Sequence, residues 1–314
     1  MAQNPFAFSD NNKRYHTLDY HNRTNYGHKL YKAVIDCGFT CPNIDGTKGH
    51  GGCIFCDGGS GYFTYSGEDI TSQLTHEKQR ICKKYGDSAQ LIAYFQANTN
   101  TYAPVDVLRE AYMTALSFQN VCGISIGTRA DCLSDDVINL LKEISSLTEL
   151  TVELGMQSCH ESTIQLINRC YSHKEFIEGF MRLKSVGIRT CIHIINGLPN
   201  EDRQMMFETA VEVGSLAPEA VKLQMLHIIR GTAAEKMYAD GKIQLLEKEE
   251  YIDTIVGQLE LLPPQTVIER ITGDGDKKKL IAPMWSADKI SVLGGIDKRL
   301  AELDTWQGKK WCEK

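Results

Sequence analysis

Apolar and polar positions follow two rhythms along the 314-residue chain. Short runs rich in β-branched and aromatic residues predict six strands: KLYKAVID (29–36), QLIAYFQ (90–96), VCGISIGT (121–128), ELTVELG (149–155), RTCIHIIN (189–196) and AVKLQMLHI (220–228). Between them, DITSQLTHEKQRICKKYG, PVDVLREAYMTALSF, SDDVINLLKEISS, HESTIQLIN, HKEFIEGFMRLKSVG and EDRQMMFETAVEVGSLA carry apolar residues at helical spacing. Ser134 is placed to cap one of these helices and Gly187 to end another. Strand and helix in alternation, with no proline- or serine-rich linker, predict an α/β fold. Its parallel sheet is either open or curled into a partial (β/α)6 TIM-like barrel.

The rhythm changes after residue 232. KEEYIDTIVGQLELL has helical spacing, a Pro-Pro break follows, then a short strand TVIERI, a loop TGDGDKKK and a last helix near DKISVLGGIDKRLAEL. Three regions are expected: a basic, aromatic N-terminal segment (1–28), the barrel (29–232) and a C-terminal α/β extension closing one side of it (233–314). A barrel places its chemistry at the C-terminal strand ends. Those ends read FQANTNT, GTRAD, ELGMQS, NGLP and HIIRGT, a concentration of amide, hydroxyl, arginine and glycine that a packed core does not need.

With 42% hydrophobic and 24% charged residues the chain is long enough and apolar enough to bury a sizeable core. The N-terminus lacks an apolar signal region, and no apolar run approaches the roughly 20 residues that span a bilayer. The expectation is a cytoplasmic protein with no membrane partner. A net charge of −6 does not announce a nucleic-acid binder. Distribution alters that: Lys13 to Lys32 holds five Lys or Arg against one Asp, interleaved with Tyr15, Tyr20, Tyr26 and Tyr31. This segment either contacts phosphates and stacks on bases or packs as an amphipathic surface over the first strand.

Eleven cysteines, an odd number, argue for reduced thiols and one metal site rather than a disulfide framework. Four of them, Cys37, Cys41, Cys53 and Cys56, lie in DCGFTCPNIDGTKGHGGCIFCDGGSG. All four together are compatible with a zinc knot. Cys41, Cys53 and Cys56 alone, C-x11-C-x2-C, suit a four-iron cluster with one iron left open. Cys37 directly follows the first predicted strand, whereas the other three occupy the loop at the barrel mouth.

GFTCPNIDGTKGHGGCIFC, followed by VELGMQS, INRC, HIINGLP and LHIIRGT, resembles the YhcC/YtqA-type radical SAM proteins. These are relatives of the elongator-type enzymes, and the likeness is strongest to the MnmL proteins of tRNA wobble-uridine modification. It extends from about residue 11 to the last helix. The resemblance implies a radical SAM partial barrel in which Cys41, Cys53 and Cys56 hold a [4Fe-4S] cluster beside S-adenosyl-L-methionine (SAM). It further implies that Phe55 packs near the adenine, that Gln96, Asn98 and Thr99 face the methionine amino group, and that Gln157 and Arg169 meet ribose and carboxylate. Thr128, His193 and Gly197 complete the expected cofactor contacts. Two positions depart from the pattern: Ala130, often proline in relatives, and Cys170, often glycine.

Glu153 shares strand parity with Gly155 and Gln157 and is expected inside the barrel as a catalytic group, or as a buried carboxylate paired with arginine. His193 could equally be a satisfied core histidine and Arg169 a helix cap. Arg129 and Arg270 are the candidates for reading a substrate carboxylate. The implied reaction converts carboxymethylaminomethyl-uridine to aminomethyl-uridine in the tRNA anticodon loop, through hydrogen abstraction by a 5′-deoxyadenosyl radical and release of a two-carbon unit. Its implied partners are an electron donor such as flavodoxin or ferredoxin and a downstream tRNA methyltransferase. Lys277, Lys278 and Lys279 could line an RNA-binding rim or a solvated turn. The competing functions are a radical SAM enzyme for a small molecule and a zinc-stabilised RNA-binding protein without catalysis.

Overall fold

The computed structural model describes residues 4–57, 67–273, 275 and 277–312. Positions 58–61 of the cysteine-rich stretch, 274 and 276 of the lysine loop, and the first three residues of the N-terminal segment lie outside them. Strands form at all six expected runs: β1 (Leu30–Ile35), β2 (Gln90–Phe95), β3 (Val121–Thr128), β4 (Glu149–Gln157), β5 (Arg189–Asn196) and β6 (Ala220–Met225). The sixth run is longer in sequence than in space. It breaks after Met225, and its end becomes β7 (Ile228–Ile229), paired antiparallel with β9 (Leu280–Ala282). TVIERI forms β8 (Val267–Arg270), which joins the main sheet beside β6 as a seventh parallel strand. The sheet runs β1-β2-β3-β4-β5-β6-β8 and curls into a half-barrel.

Ten helices accompany it among the described residues: α1 (Leu18–Tyr26), α2 (Ile70–Tyr85), α3 (Val105–Leu116), α4 (Asp135–Leu147), α5 (Glu161–Leu166), α6 (His173–Ser185), α7 (Arg203–Leu216), α8 (Ala233–Ala239), α9 (Lys248–Leu261) and α10 (Lys289–Glu302). Ser134 caps α4 by accepting the Val137 N–H, and Gly187 follows α6 at φ +73°. Among the described residues no helix is long and apolar enough to cross a membrane.

The strands have two chemically distinct faces because side chains alternate across a sheet. Leu91, Ala93 and Phe95 of β2, Ile124 and Ile126 of β3, Val152, Leu154 and Met156 of β4, and Ile192 and Ile194 of β5 are buried in one core with α3, α4 and α6. The alternate positions include Tyr94, Ser125, Glu153, Gln157, His193 and Lys222. A parallel sheet covered on both faces reads as continuously apolar. The polar alternation therefore marks a concave face that lines a cavity.

The N-terminal segment closes the base of that cavity. The His16 carbonyl accepts the Ile268 N–H at 2.7 Å, so the chain starts along the β8 edge. It then turns into α1 at the Thr17 cap and leaves at Gly27 (φ +76°) to enter β1 on the opposite edge. Leu18 packs on Cys191, Ala220 and Val267 at the barrel floor, above which lies a cavity of about 60 Å³. Most cations of the segment are ion-paired: Lys13 with Asp297, Arg14 with Asp304, and Arg23 with Asp10 and Asp19. Tyr15 is buried, and Lys32 points into the barrel. The segment thus packs along β8 and the barrel floor rather than over the first strand.

Candidate active site

One layer of polar side chains crosses the barrel interior, with a contribution from every strand of the sheet. Glu153 on β4 sits at its centre. Its carboxylate accepts from Lys32 Nζ (2.5 Å), Ser125 Oγ (2.6 Å), Tyr94 Oη (2.8 Å), His193 Nε2 (2.8 Å) and Lys222 Nζ. Glu269 on β8 shares Lys32 at 2.7 Å and meets Arg189 at 3.4 Å. Burial opposes charge on Glu153, but Lys222, Lys32 and His193 outweigh it and hold the carboxyl well below its usual range. The sequence expectation of a catalytic Glu153 meets a physical obstacle, since a carboxylate with five donors on it has no lone pair left to act as a base. Its partners are lysines rather than the expected arginine. Both lie within otherwise apolar or aromatic strand runs, where their inward parity was the only signal.

The same layer defines the state of His193. Burial first, and then Lys222, lower its pKa despite the Glu153 contact. A neutral ring facing an anionic, acceptor-only carboxylate carries its proton on Nε2, which leaves Nδ1 as an acceptor. Arg270, at the end of β8, lies within electrostatic reach of His193 and Lys222.

Above this layer the β1 loop brings three thiols together. Burial first, and then the neighbouring Cys56 and Cys41, push the Cys53 thiol up to about 12 despite Arg129 nearby. Cys37 is absent from that group and packs against the main core. Among the described residues no three His, Cys, Asp or Glu side chains converge on the spacing of a single ion. In a four-iron cluster each thiolate takes a different iron, a wider arrangement. The CIFC turn is tied down on both sides, since Ile54 donates to Ile167 O (3.1 Å) and accepts from Ala234 N–H (2.8 Å). Phe55 packs beside Ile167, Leu198 and Ile228. Asn43 and Asn168, which carried no sequence signal beyond their loops, cross-tie the segments: Asn168 Nδ2 donates to Gly52 O at 2.8 Å, and Asn43 donates to Asn168 O.

The loops after β2 and β3 are joined by a 2.6 Å hydrogen bond between Thr101 and Thr128, and Thr99 N–H reaches Thr40 O at 3.3 Å. Asn98 donates to Phe39 O at 2.9 Å. Gln96 follows β2, and Gly197, at φ +77°, follows β5 against Leu246. Arg169 donates to the carbonyls of Met156, Ser158 and Tyr171. Among the described residues, the buried polar atoms at this end with no protein partner include Asn98 Oδ1, Gln157 Oε1 and Arg169 Nη2. Two acceptors and one cationic donor beside three thiols fit a ligand with amine, hydroxyl and carboxylate groups. Arg129 stands beside the thiols but is already engaged. It is 8% exposed and bound to Asp131 through two 2.9 Å contacts, so the expected substrate-carboxylate role does not match its surroundings.

A half-barrel with three thiols at its mouth and unpaired polar atoms around them defines a class, and sequence comparison agrees with it. The radical SAM superfamily pattern matches residues 44–213 and the radical SAM C-terminal domain pattern matches residues 218–302. The chain belongs to the radical SAM superfamily, among proteins of the YhcC/YtqA type. It is 48% identical over 311 residues to YtqA of Bacillus subtilis (strain 168), covering 98% of this chain and 96% of that one. YhcC of Escherichia coli (strain K12) is 34% identical over 88% of this chain and 89% of its own length. A tRNA uridine(34) acetyltransferase of Methanocaldococcus infernus shares 27% identity over 48% of this chain and 28% of that protein. In fold, the chain is similar to the Elp3 of Methanocaldococcus infernus with an N-terminal deletion (TM-score 0.66, 17% identity), covering 88% of this chain and 64% of that one. The protein is a radical SAM enzyme, and the cofactors of its superfamily are a [4Fe-4S] cluster and SAM.

Proposed function

We propose that the enzyme acts in the cytoplasm on the wobble uridine of tRNA and converts carboxymethylaminomethyl-uridine to aminomethyl-uridine. The observation that carries this reading is the similarity of 48% of the chain to a tRNA uridine(34) acetyltransferase. Arg270 at the end of β8, and the exposed lysine turn whose Lys279 pairs at 3.2 Å with Asp57, next to Cys56, support it. Such a rim suits an anionic substrate, and an unclosed seven-strand sheet leaves a side through which a flipped base can enter.

Cys41, Cys53 and Cys56 hold the cluster in this reading, which together with SAM supplies hydrogen-atom abstraction when bound. Asn98, with Gln96 and Thr99, receives the amino group; Arg169 Nη2 meets the carboxylate, and Gln157 Oε1 takes a ribose hydroxyl. Phe55 covers the adenine, while His193 Nδ1, Gly197 and Thr128 border the adenosine. Glu153 keeps His193 in one tautomer and orients it. Arg270 reads the substrate carboxylate, beside which the abstracted hydrogen lies. An electron donor of the flavodoxin or ferredoxin kind and a methyltransferase acting on the product complete the scheme.

The test is nucleoside mass spectrometry of tRNA from a strain lacking the gene. Carboxymethylaminomethyl-uridine should accumulate and aminomethyl-derived nucleosides should disappear. Unchanged wobble uridines would overturn the assignment and favour a small-molecule substrate.

A further inference from the structure

Arg129 stands where three loops meet, and its contacts are more numerous than a substrate-reading arginine could keep. Its Nε and Nη2 each donate to Asp131 at 2.9 Å, and Nη1 donates to the carbonyl of Arg169 at 2.9 Å. The same Nη1 lies 4.0 Å from Cys41 Sγ. The guanidinium also covers the Tyr171 ring at 4.6 Å, with Arg169 at 4.1 Å from that ring. Asp131 in turn meets Lys48 at 2.7 Å, seven residues beyond Cys41 in the same loop.

We propose that Arg129 is a positioning residue that raises the reduction potential of the iron–sulfur centre through Cys41, with Asp131 as the opposing charge. This role is independent of the substrate's identity. Reduction adds one negative charge to a cluster already bounded by three thiolates. A cation and an N–H donor at a ligating sulfur stabilise that charge, and an anion nearby does the reverse. Arg129 is buried, so its field is weakly screened. Asp131 fixes the fork by its two bonds, which leaves Nη1 aimed at both the carbonyl and the sulfur.

The experiment is an anaerobic redox titration of the reconstituted full chain, followed by electron paramagnetic resonance, with iron content measured alongside. Arg129→Gln should move the midpoint potential to more negative values, and Asp131→Asn to more positive ones. Arg129→Lys should keep the iron and shift the potential less than Arg129→Gln. A purely structural role would lower iron content in the variants without opposed shifts. If Arg129→Gln holds no cluster, Asp131→Asn decides. A potential that stays at the wild-type value or moves negative in Asp131→Asn overturns the proposal, as does a positive or absent shift in a loaded Arg129→Gln.

Discussion

Cys37 and Cys41 are four residues apart and meet different surroundings. Cys37 packs on the core with burial and Asp36 pushing its thiol up to about 12, while Cys41 faces Arg129 and the other mouth thiols. Cys37→Ala should therefore retain iron and its visible absorbance, whereas Cys41→Ala, Cys53→Ala and Cys56→Ala should each lose them. Iron loss in Cys37→Ala alone would defeat the three-ligand arrangement. The departure at Cys170 also has a physical reading. The residue sits at φ +59°, a left-handed conformation that costs a side chain about 1–2 kcal/mol and that glycine adopts freely. At this scale the grouping of the mouth thiols and the polar strand ends were legible, because their chemistry is rare and their spacing short. Lys32, Lys222 and Glu269 were not. A charged residue in a strand looks solvent-facing until neighbouring strands show that its parity points inward.

Elements carry their own constraints, and α6 shows one. A Cβ at Gly179 would lie 2.2 Å from the carbonyl oxygen of Ala130, in the loop that holds Arg129 and Asp131. Backbone cannot yield as a side-chain tip does, so Gly179→Ala should cost roughly 1–3 kcal/mol. A lower urea midpoint and weaker iron retention would show it, and a neutral result would mean the helix slides without disturbing the loop. The N-terminal helix α1 was invisible in the sequence because LDYHNRTNY has little apolar periodicity; its place comes from the Thr17 cap and the two strand edges it joins. That place bears on RNA binding. Lys13→Ala with Arg23→Ala should leave tRNA affinity unchanged, since those cations belong to the segment packed along β8 and the barrel floor, away from the thiol loop. Replacing Lys277, Lys278 and Lys279 by alanine should weaken binding and flatten its salt dependence by roughly 0.7–0.9 for each phosphate no longer neutralised. Filter binding across a salt series separates the two, and equal weakening in both variants would remove the lysine loop as the RNA rim.

The barrel as a whole depends on charges that no single element satisfies. Lys32 comes from β1, Tyr94 from β2, Ser125 from β3, Glu153 from β4, His193 from β5, Lys222 from β6 and Glu269 from β8, so the layer exists only when all seven strands are in register. Burial raises the Glu269 carboxyl, but Lys32 and Lys222 overcome that and bring it from 4.5 down to about 2. A carboxyl with a depressed folded pKa stabilises the fold fully above its unfolded value and loses that contribution as pH falls toward the folded value. The window is thus about pH 4.5 to pH 2, with Glu153 also held below its ordinary range. Glu269→Gln should cost about 3 kcal/mol at neutral pH, the lower end for breaking a buried pair, because Glu153 still faces both lysines. Urea midpoints measured from pH 7 downward should start well apart for wild type and variant and approach each other below pH 4.5. Parallel curves would mean that Glu269 binds its proton equally well in the folded and unfolded chain, and that the seven-strand charge layer does not hold the barrel.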